Sequence, residues 1–257
     1  MTNPPENIIV EARDVSFSYP EEPDRYVLNN LNLQVSRGEC VAILGESGAG
    51  KTTLLKLLCG LLQPAQGQIL FEGKLLQGPR NDISLIFQNY GLFPWKTVRE
   101  NILLPARLRK KRSGMSERAD ENELGKLLDY LGLREFAHRF PAELSGGQLQ
   151  RTALGRAVMS GASLLLMDEP FSALDLRNRA RLQSFMKTFL EDTEMTSVIV
   201  THSIEEALRM GDRVAVFDPE RGRIRKIREG CRREADPDPA MLDECSRRIR
   251  ESLLQME

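Results

Sequence analysis

Alternation of apolar and polar positions governs the first part of the chain. In Ile8-Ile9-Val10-Glu11-Ala12-Arg13-Asp14-Val15-Ser16-Phe17-Ser18-Tyr19, the residues Val15, Phe17 and Tyr19 fall two apart, the period of a half-buried strand. Pro20 to Asp24 reads as a turn or loop, and Leu31, Leu33 and Val35 repeat the alternation as a second strand. Arg37-Gly38 then turns into a wholly apolar run, Cys40–Leu44. A helical run over 52–62 follows, Gln63-Pro64-Ala65-Gln66-Gly67 reads as a breaker, and short strands are predicted at Gln68–Glu72 and Ile83–Phe87. From about 96 to 158 the character changes. Thr97–Arg109, Glu121–Leu131 and Leu149–Met159 show helical spacing with few β-branched residues, which predicts a helical lobe inserted into the core. Ser163–Met167 and Ser197–Val200 are short runs, apolar after their first serine, that suit central parallel strands buried on both faces. Asp175–Leu190 and Ile204–Met210 read as helices, with Gly211 a natural stop, and Val214–Phe217 as a further strand. Antiparallel-looking strands ahead of βα units give a mixed α/β fold. From about 219 to 257 the chain is a charged tail, with a hairpin expected around Arg221-Gly222-Arg223 and a terminal helix over about 239–255.

Composition narrows the function classes. At 257 residues, the chain has room for one large α/β domain with a smaller inserted lobe. Lys+Arg 36 against Asp+Glu 37 leaves a net charge of −1, without the basic excess of a general nucleic-acid binder. The compact basic run Arg107-Leu108-Arg109-Lys110-Lys111-Arg112 is followed at once by acidic residues and reads as a solvated helix end. No run of about 18 apolar residues is present, and Met1–Glu6 lacks the pattern of a secretory leader, so a cytosolic protein is expected. Cys40, Cys59, Cys231 and Cys245 are far apart, and the first two, in apolar segments, read as buried thiols.

The chemistry concentrates first at Gly45-Glu46-Ser47-Gly48-Ala49-Gly50-Lys51-Thr52, between the apolar run and the helix that opens at Thr52-Thr53. Strand, glycine loop and helix form the context in which G-x-x-x-x-G-K-[ST] cradles phosphate. The glycines turn backbone N–H groups inward, and the helix N-terminus adds partial positive charge. Lys51 would reach the β- and γ-phosphates, and the Thr52 hydroxyl would sit on Mg²⁺. The stretch alone specifies a nucleoside triphosphate and nothing finer.

Three further stations align with it. Asp168-Glu169 ends a buried apolar strand, whose alternating side-chain directions send the two carboxylates to different tasks, one toward Mg²⁺ and one toward an attacking water. Leu144-Ser145-Gly146-Gly147-Gln148 stands just before a helical run, as an N-cap serine or as a second backbone anion site. His202, one of 2 histidines, ends another buried strand, whereas His138 has no such context. With Leu-Ser-Gly-Gly-Gln beside the phosphate loop, the sequence resembles the nucleotide-binding subunits of ABC transporters over nearly all of residues 8–218.

The resemblance implies an ABC-type P-loop ATPase core that binds ATP and Mg²⁺. It places the γ-phosphate contact at His202 and the sensing glutamine at Gln88. It also places a cross-subunit loop at Ser172-Ala173-Leu174-Asp175 and an adenine-stacking aromatic at Tyr19. Such stacking is worth about 1–3 kcal/mol; Tyr26 is a rival for that place. Ser203 stands where relatives often carry Asp. The resemblance also implies a head-to-tail homodimer in which Ser145–Gln148 of one chain closes on ATP held by Lys51 of the other. Gly91-Leu92-Phe93-Pro94-Trp95-Lys96-Thr97-Val98 is similar to bacterial importers, and its Pro-Trp to the nitrate, sulfonate and taurine group. That implies a transmembrane permease docking at the Gln88–Trp95 region, an extracytoplasmic solute-binding protein, and a peripheral place on the inner face of the membrane. Trp95 reads equally as a docking residue or as an anchor of the helical lobe. An exporter cassette, a non-transport ABC ATPase acting on nucleic acid or translation, and a regulatory ATP-binding module are the alternatives. Glu169, His202 and Ser145, all present, count against the last.

Overall fold

The computed structural model describes residues 7–113, 117–172, 174–232 and 243–249. β1 (Ile8–Phe17) and β2 (Leu28–Ser36) pair antiparallel, with Ala12 opposite Leu33 and Val15 opposite Leu31, so the alternating apolar residues share one buried face. β3 (Cys40–Leu44) is buried at every residue and leads through the glycine loop into α1 (Lys51–Leu58). β4 (Gln66–Phe71) returns along the free edge of β1, and the two-residue β5 (Lys74–Leu75) pairs beyond it. The result is a four-stranded antiparallel sheet in the order β2-β1-β4-β5.

Gln66 and Gly67 correct the expectation of a breaker, since both belong to β4. Gly67 sits at φ 78°, where the register with β1 shifts between Arg13 and Ser16. A Cβ there would fall 2.3 Å from the Asp14 carbonyl oxygen. The glycine marks a bulge that bends the strand, not its end.

A second sheet takes the remaining strands. β6 (Ile83–Ile86) is followed by α2 (Val98–Ser113), α3 (Glu117–Tyr130) and α4 (Gly146–Ser160), then by β7 (Leu164–Asp168), α5 (Leu176–Asp192), β8 (Thr196–Thr201), α6 (Ile204–Met210), β9 (Arg213–Asp218) and β10 (Arg223–Glu229). The order is β10-β9-β3-β8-β7-β6, parallel except for β10, which pairs antiparallel with β9 through the expected hairpin. β6 therefore belongs to the parallel sheet, not to the antiparallel material that precedes it in sequence. Alternate residues feed opposite faces: Leu164 and Leu166 pack with the antiparallel sheet and α1, whereas Leu165 and Met167 pack with the helices between β6 and β7.

The carboxyl ends of the parallel strands meet along one edge, with Leu44 opposite Thr201 and Asp168 opposite Val200. The phosphate loop, Asp168-Glu169 and His202 thus leave the sheet side by side, where open α/β sheets present ligand crevices. Residues 243–249 are helical. The rest of the expected terminal helix, Met1–Glu6 and Ala173 lie outside the described residues. None of the described helices is long and apolar enough to cross a membrane.

Candidate active site

The phosphate loop takes its shape from two glycines in left-handed backbone, Gly48 at φ 79° and Gly50 at φ 100°. Gly50 caps α1, and a Cβ there would press within 2.8 Å of Val27. Lys51 is 4% exposed, and its Nζ donates to the carbonyl oxygens of Gly45, at 2.7 Å, and Glu46. Burial pulls its pKa below the lysine range, while the carboxylates of Glu169, Asp168 and Glu46 act the other way. These groups open onto a cavity of about 750 Å³, lined by Ser47–Thr53 together with Tyr19, Tyr26, Gln88, Asp168 and Glu169. Gly45 and Glu46 are not among its lining residues.

Two carboxylates divide the far wall. Asp168 Oδ2 accepts the Thr52 hydroxyl at 2.8 Å. Burial raises the Asp168 pKa, with the Thr52 hydrogen bond opposing. Glu169 turns away at φ 45°, a left-handed backbone rare outside glycine. The turn is held by its N–H on Val200 O at 3.0 Å and by the Ser172 hydroxyl on its own carbonyl at 3.0 Å. Its Oε1 lies 3.2 Å from His202 Nδ1. Gln88 Nε2 donates to the Ser172 hydroxyl at 3.0 Å, so Ser172 links Gln88 to the Glu169 turn. The Tyr19 hydroxyl lies 2.9 Å from Thr53 Oγ1, and its ring meets Phe17 edge-on at 5.0 Å.

The donor set fits Mg²⁺. A hydroxyl and a carboxylate at hydrogen-bond distance, Thr52 and Asp168, are hard oxygen donors, and Mg²⁺ retains water and phosphate oxygens as its other ligands. Accordingly, no group of three or more His, Cys, Asp or Glu side chains among the described residues forms a metal cage on its own.

The second glycine station lies elsewhere. Ser145, Gly146 and Gly147 line a separate cavity of about 390 Å³ that shares no lining residue with the first. The glycines do not precede the helix but form its first turn. Ser145 is the N-cap, its hydroxyl accepting Gln148 N–H at 3.4 Å, while Gln148 Oε1 accepts Ser145 N–H at 2.8 Å. The Ser145 proton remains available to a ligand. Asp175 caps α5, accepting Asn178 N–H at 3.1 Å, and these bonds hold its carboxyl below the usual range. One chain therefore gathers Tyr19, Lys51, Thr52, Gln88, Asp168 and Glu169 around that cavity, joins His202 to it through Glu169, and leaves Ser145–Gln148 and Asp175 outside.

Some supporting residues escaped the sequence reading. Thr201 Oγ1 donates to the buried Glu206 at 2.6 Å and accepts Ser203 N–H at 3.0 Å, fixing the turn that carries His202. Ser203 caps α6 through Glu206 N–H, and the spacing Ser203-x-x-Glu206 was the available signal. Asn101, fully buried, accepts Phe93 N–H at 2.9 Å and donates to the carbonyls of Phe93, Lys96 and Thr97. It holds the loop on which Trp95 stands 69% exposed against the Phe93 ring.

The ABC transporter family profile matches residues 28–172, from β2 past the second carboxylate. The chain belongs to the ABC transporter family. This ABC cassette is 40% identical over 215 residues to the taurine import ATP-binding protein TauB of Sinorhizobium fredii, covering 82% of the chain and 79% of that protein. It is also 40% identical over 201 residues to the aliphatic sulfonates import ATP-binding protein SsuB 2 of Burkholderia cenocepacia, covering 78% of the chain and 72% of the relative. The nitrate import ATP-binding protein NrtC of Synechococcus elongatus is likewise 40% identical over 78% of the chain, which spans 30% of that longer protein. Among solved structures, a dimeric ATP-binding cassette in a post-hydrolysis state, bound to ADP and Pi, superposes with a TM-score of 0.73 at 31% identity. That alignment covers 86% of this chain and 98% of the other. The cassette binds ATP and is an ATPase of this family.

Proposed function

We propose that the chain powers import of a small oxyanion of the taurine, alkanesulfonate or nitrate kind, working as a head-to-tail homodimer beneath a permease on the inner face of the membrane. The observation that carries the ATPase chemistry is the convergence of Lys51, Thr52–Asp168 and Glu169–His202 at the carboxyl ends of adjacent parallel strands. Import rests on the three importer relatives, and the homodimer on the dimeric cassette.

Each group has a task that follows from its place. The loop N–H groups and Lys51 hold the β- and γ-phosphates, and Tyr19 stacks on adenine. Thr52 and Asp168, with Gln88 alongside, would hold Mg²⁺, which would supply positive charge against that of the phosphates. Glu169 accepts a proton from the attacking water. His202 holds the Glu169 carboxylate from one side and meets the γ-phosphate from the other. Ser145, through its O–H and the α4 N-terminus, closes on the triphosphate of the partner chain, and Asp175 crosses the same interface. The separate cavity of the second glycine station supports this, because within one chain those donors have no phosphate to bind. Ser145–Gln148 belong to the helical lobe of about residues 96–158. No direct contact with nucleic acid is proposed. A solute-binding protein outside the membrane completes the system.

Ser145→Arg tests the cross-subunit contact. Losing the cap costs about 1 kcal/mol of stability, while the added side chain wedges the closed dimer and turnover stops. A stable ATP-bound dimer of this variant by light scattering would remove the reading.

Trp95→Ala tests the transport role. An aromatic 69% exposed is not a core anchor, so melting of the isolated variant should stay within about 0.5 kcal/mol of the parent. Retention of the membrane subunit in co-purification should fall by about 30-fold, an interface anchor's worth of about 2 kcal/mol. Full retention, or capture of no membrane protein by the parent chain, would overturn the permease assignment.

A further inference from the structure

Glu206 is buried, 6% exposed, and takes no part in the chemistry assigned above. A buried carboxylate is costly unless it is both paired and hydrogen-bonded. Each of its oxygens is engaged. Oε2 accepts the Thr201 hydroxyl at 2.6 Å, and Oε1 lies 3.7 Å from Arg179 Nε. The spacing Ser203-x-x-Glu206 suits a capping box, in which the carboxylate would take the Ser203 N–H. Thr201 Oγ1 takes that N–H instead, at 3.0 Å. The carboxylate therefore reaches the turn through the hydroxyl and keeps Oε1 for Arg179.

The guanidinium also faces a second loop. Arg179 Nη2 donates to Leu174 O at 3.1 Å, so one planar group meets both Glu206 on α6 and the residue just before Asp175. Arg179 stands in the first turn of α5, where its own N–H bonds Asp175 O at 2.8 Å. The contacts thus run from Leu174 through Arg179, Glu206 and Thr201 to Ser203. One end flanks Asp175, and the other brackets His202. Those two residues serve different stations. His202 lies 3.2 Å from Glu169, whereas Asp175 stands outside the cavity of its own chain.

We infer that Arg179 and Glu206 are positioning residues for hydrolysis, which hold the His202 turn in fixed relation to the Asp175 loop. The inference rests on the reading above that Asp175 crosses the dimer interface. A buried ion pair adds little stability over apolar groups of the same size, so the worth of this one lies in what it aligns. Thr201 fixes the turn from the strand side, Glu206 fixes Thr201, and Arg179 fixes Glu206 against the loop that meets the partner chain. The placement of His202 on Glu169 and the placement of Asp175 are set by one connection.

Arg179→Lys tests it in the purified full chain. The lysine neutralises Glu206 but lacks the planar fork that meets Leu174 O as well. Melting should stay within about 2 °C of the parent, because the Arg179 side chain is 35% exposed and its charge is retained. KM for ATP should stay within about twofold while kcat falls about tenfold, the pattern of an interaction that acts after binding. Thr201→Val cuts the other end of the same connection. It should lose a similar factor in kcat, at some cost in melting temperature, and the double variant should lose no more than either alone. Asp175→Ala is the reference for the interface and should lower kcat as well. Parental kcat in Arg179→Lys, a rise in KM in place of the fall in kcat, or losses that multiply in the double variant would each overturn the inference. If Asp175→Ala alone keeps the parental kcat, the cross-subunit reading fails first and takes the inference with it.

Discussion

Glu169→Gln should retain ATP, accumulate as a closed dimer and hydrolyse ATP about 10²–10⁴ times more slowly, the usual worth of a general base. The substitution keeps the shape of the side chain and its reach to His202 Nδ1, 3.2 Å away, but the amide cannot take a proton from water. Asp168 remains with Thr52, so nucleotide affinity is preserved. The left-handed turn at φ 45° depends on backbone bonds to Val200 and Ser172, not on the carboxylate, and it should survive the change. Single-turnover hydrolysis beside a calorimetric ATP titration is the measurement. A loss under about tenfold would assign the water-activating role to another group.

Lys51→Ala should act at the earlier step, lowering ATP affinity by about 10²-fold or more. A charge-assisted hydrogen bond contributes about 1.5–3 kcal/mol, and Lys51 is placed to make such bonds to two phosphates. The 4% exposure of Lys51 adds a second expectation. Its ammonium already donates to Gly45 O and Glu46 O, so it braces the loop as well as serving the ligand. Far-ultraviolet dichroism should show the fold retained, with a modest fall in melting temperature. Undiminished affinity in the titration would remove Lys51 from phosphate binding.

How far the sequence reached depended on whether the signal was local. Strands with clean alternation or unbroken apolar runs, such as β2 and β3, declare themselves because burial on one face or two dictates residue type position by position. Gly67 shows where this fails. In sequence a bulge glycine and a terminating glycine look alike, and only the approach of the Asp14 carbonyl distinguishes them. β6 was legible as a strand but not as an edge of the parallel sheet, since its partner β7 comes about 80 residues later. At the site, motif residues were readable because phosphate chemistry demands them at fixed spacing. Asn101 and Arg179 were not, because a polar residue inside a helix announces neither its burial nor what it holds.

The strand order has a kinetic consequence for synthesis. β3, which carries the phosphate loop, finds hydrogen-bonded neighbours only in β8 and β9, and both emerge after the helices between β6 and β7. Until about residue 201 has left the ribosome, an entirely apolar five-residue strand waits with both edges open, and one edge stays open until about residue 216. Closure then requires contacts separated by some 150 residues, a topology that folds slowly and exposes edges on the way. A nascent chain arrested at the end of α5 would carry the lysine, both carboxylates and the signature serine, yet it would lack the sheet that brings them into register.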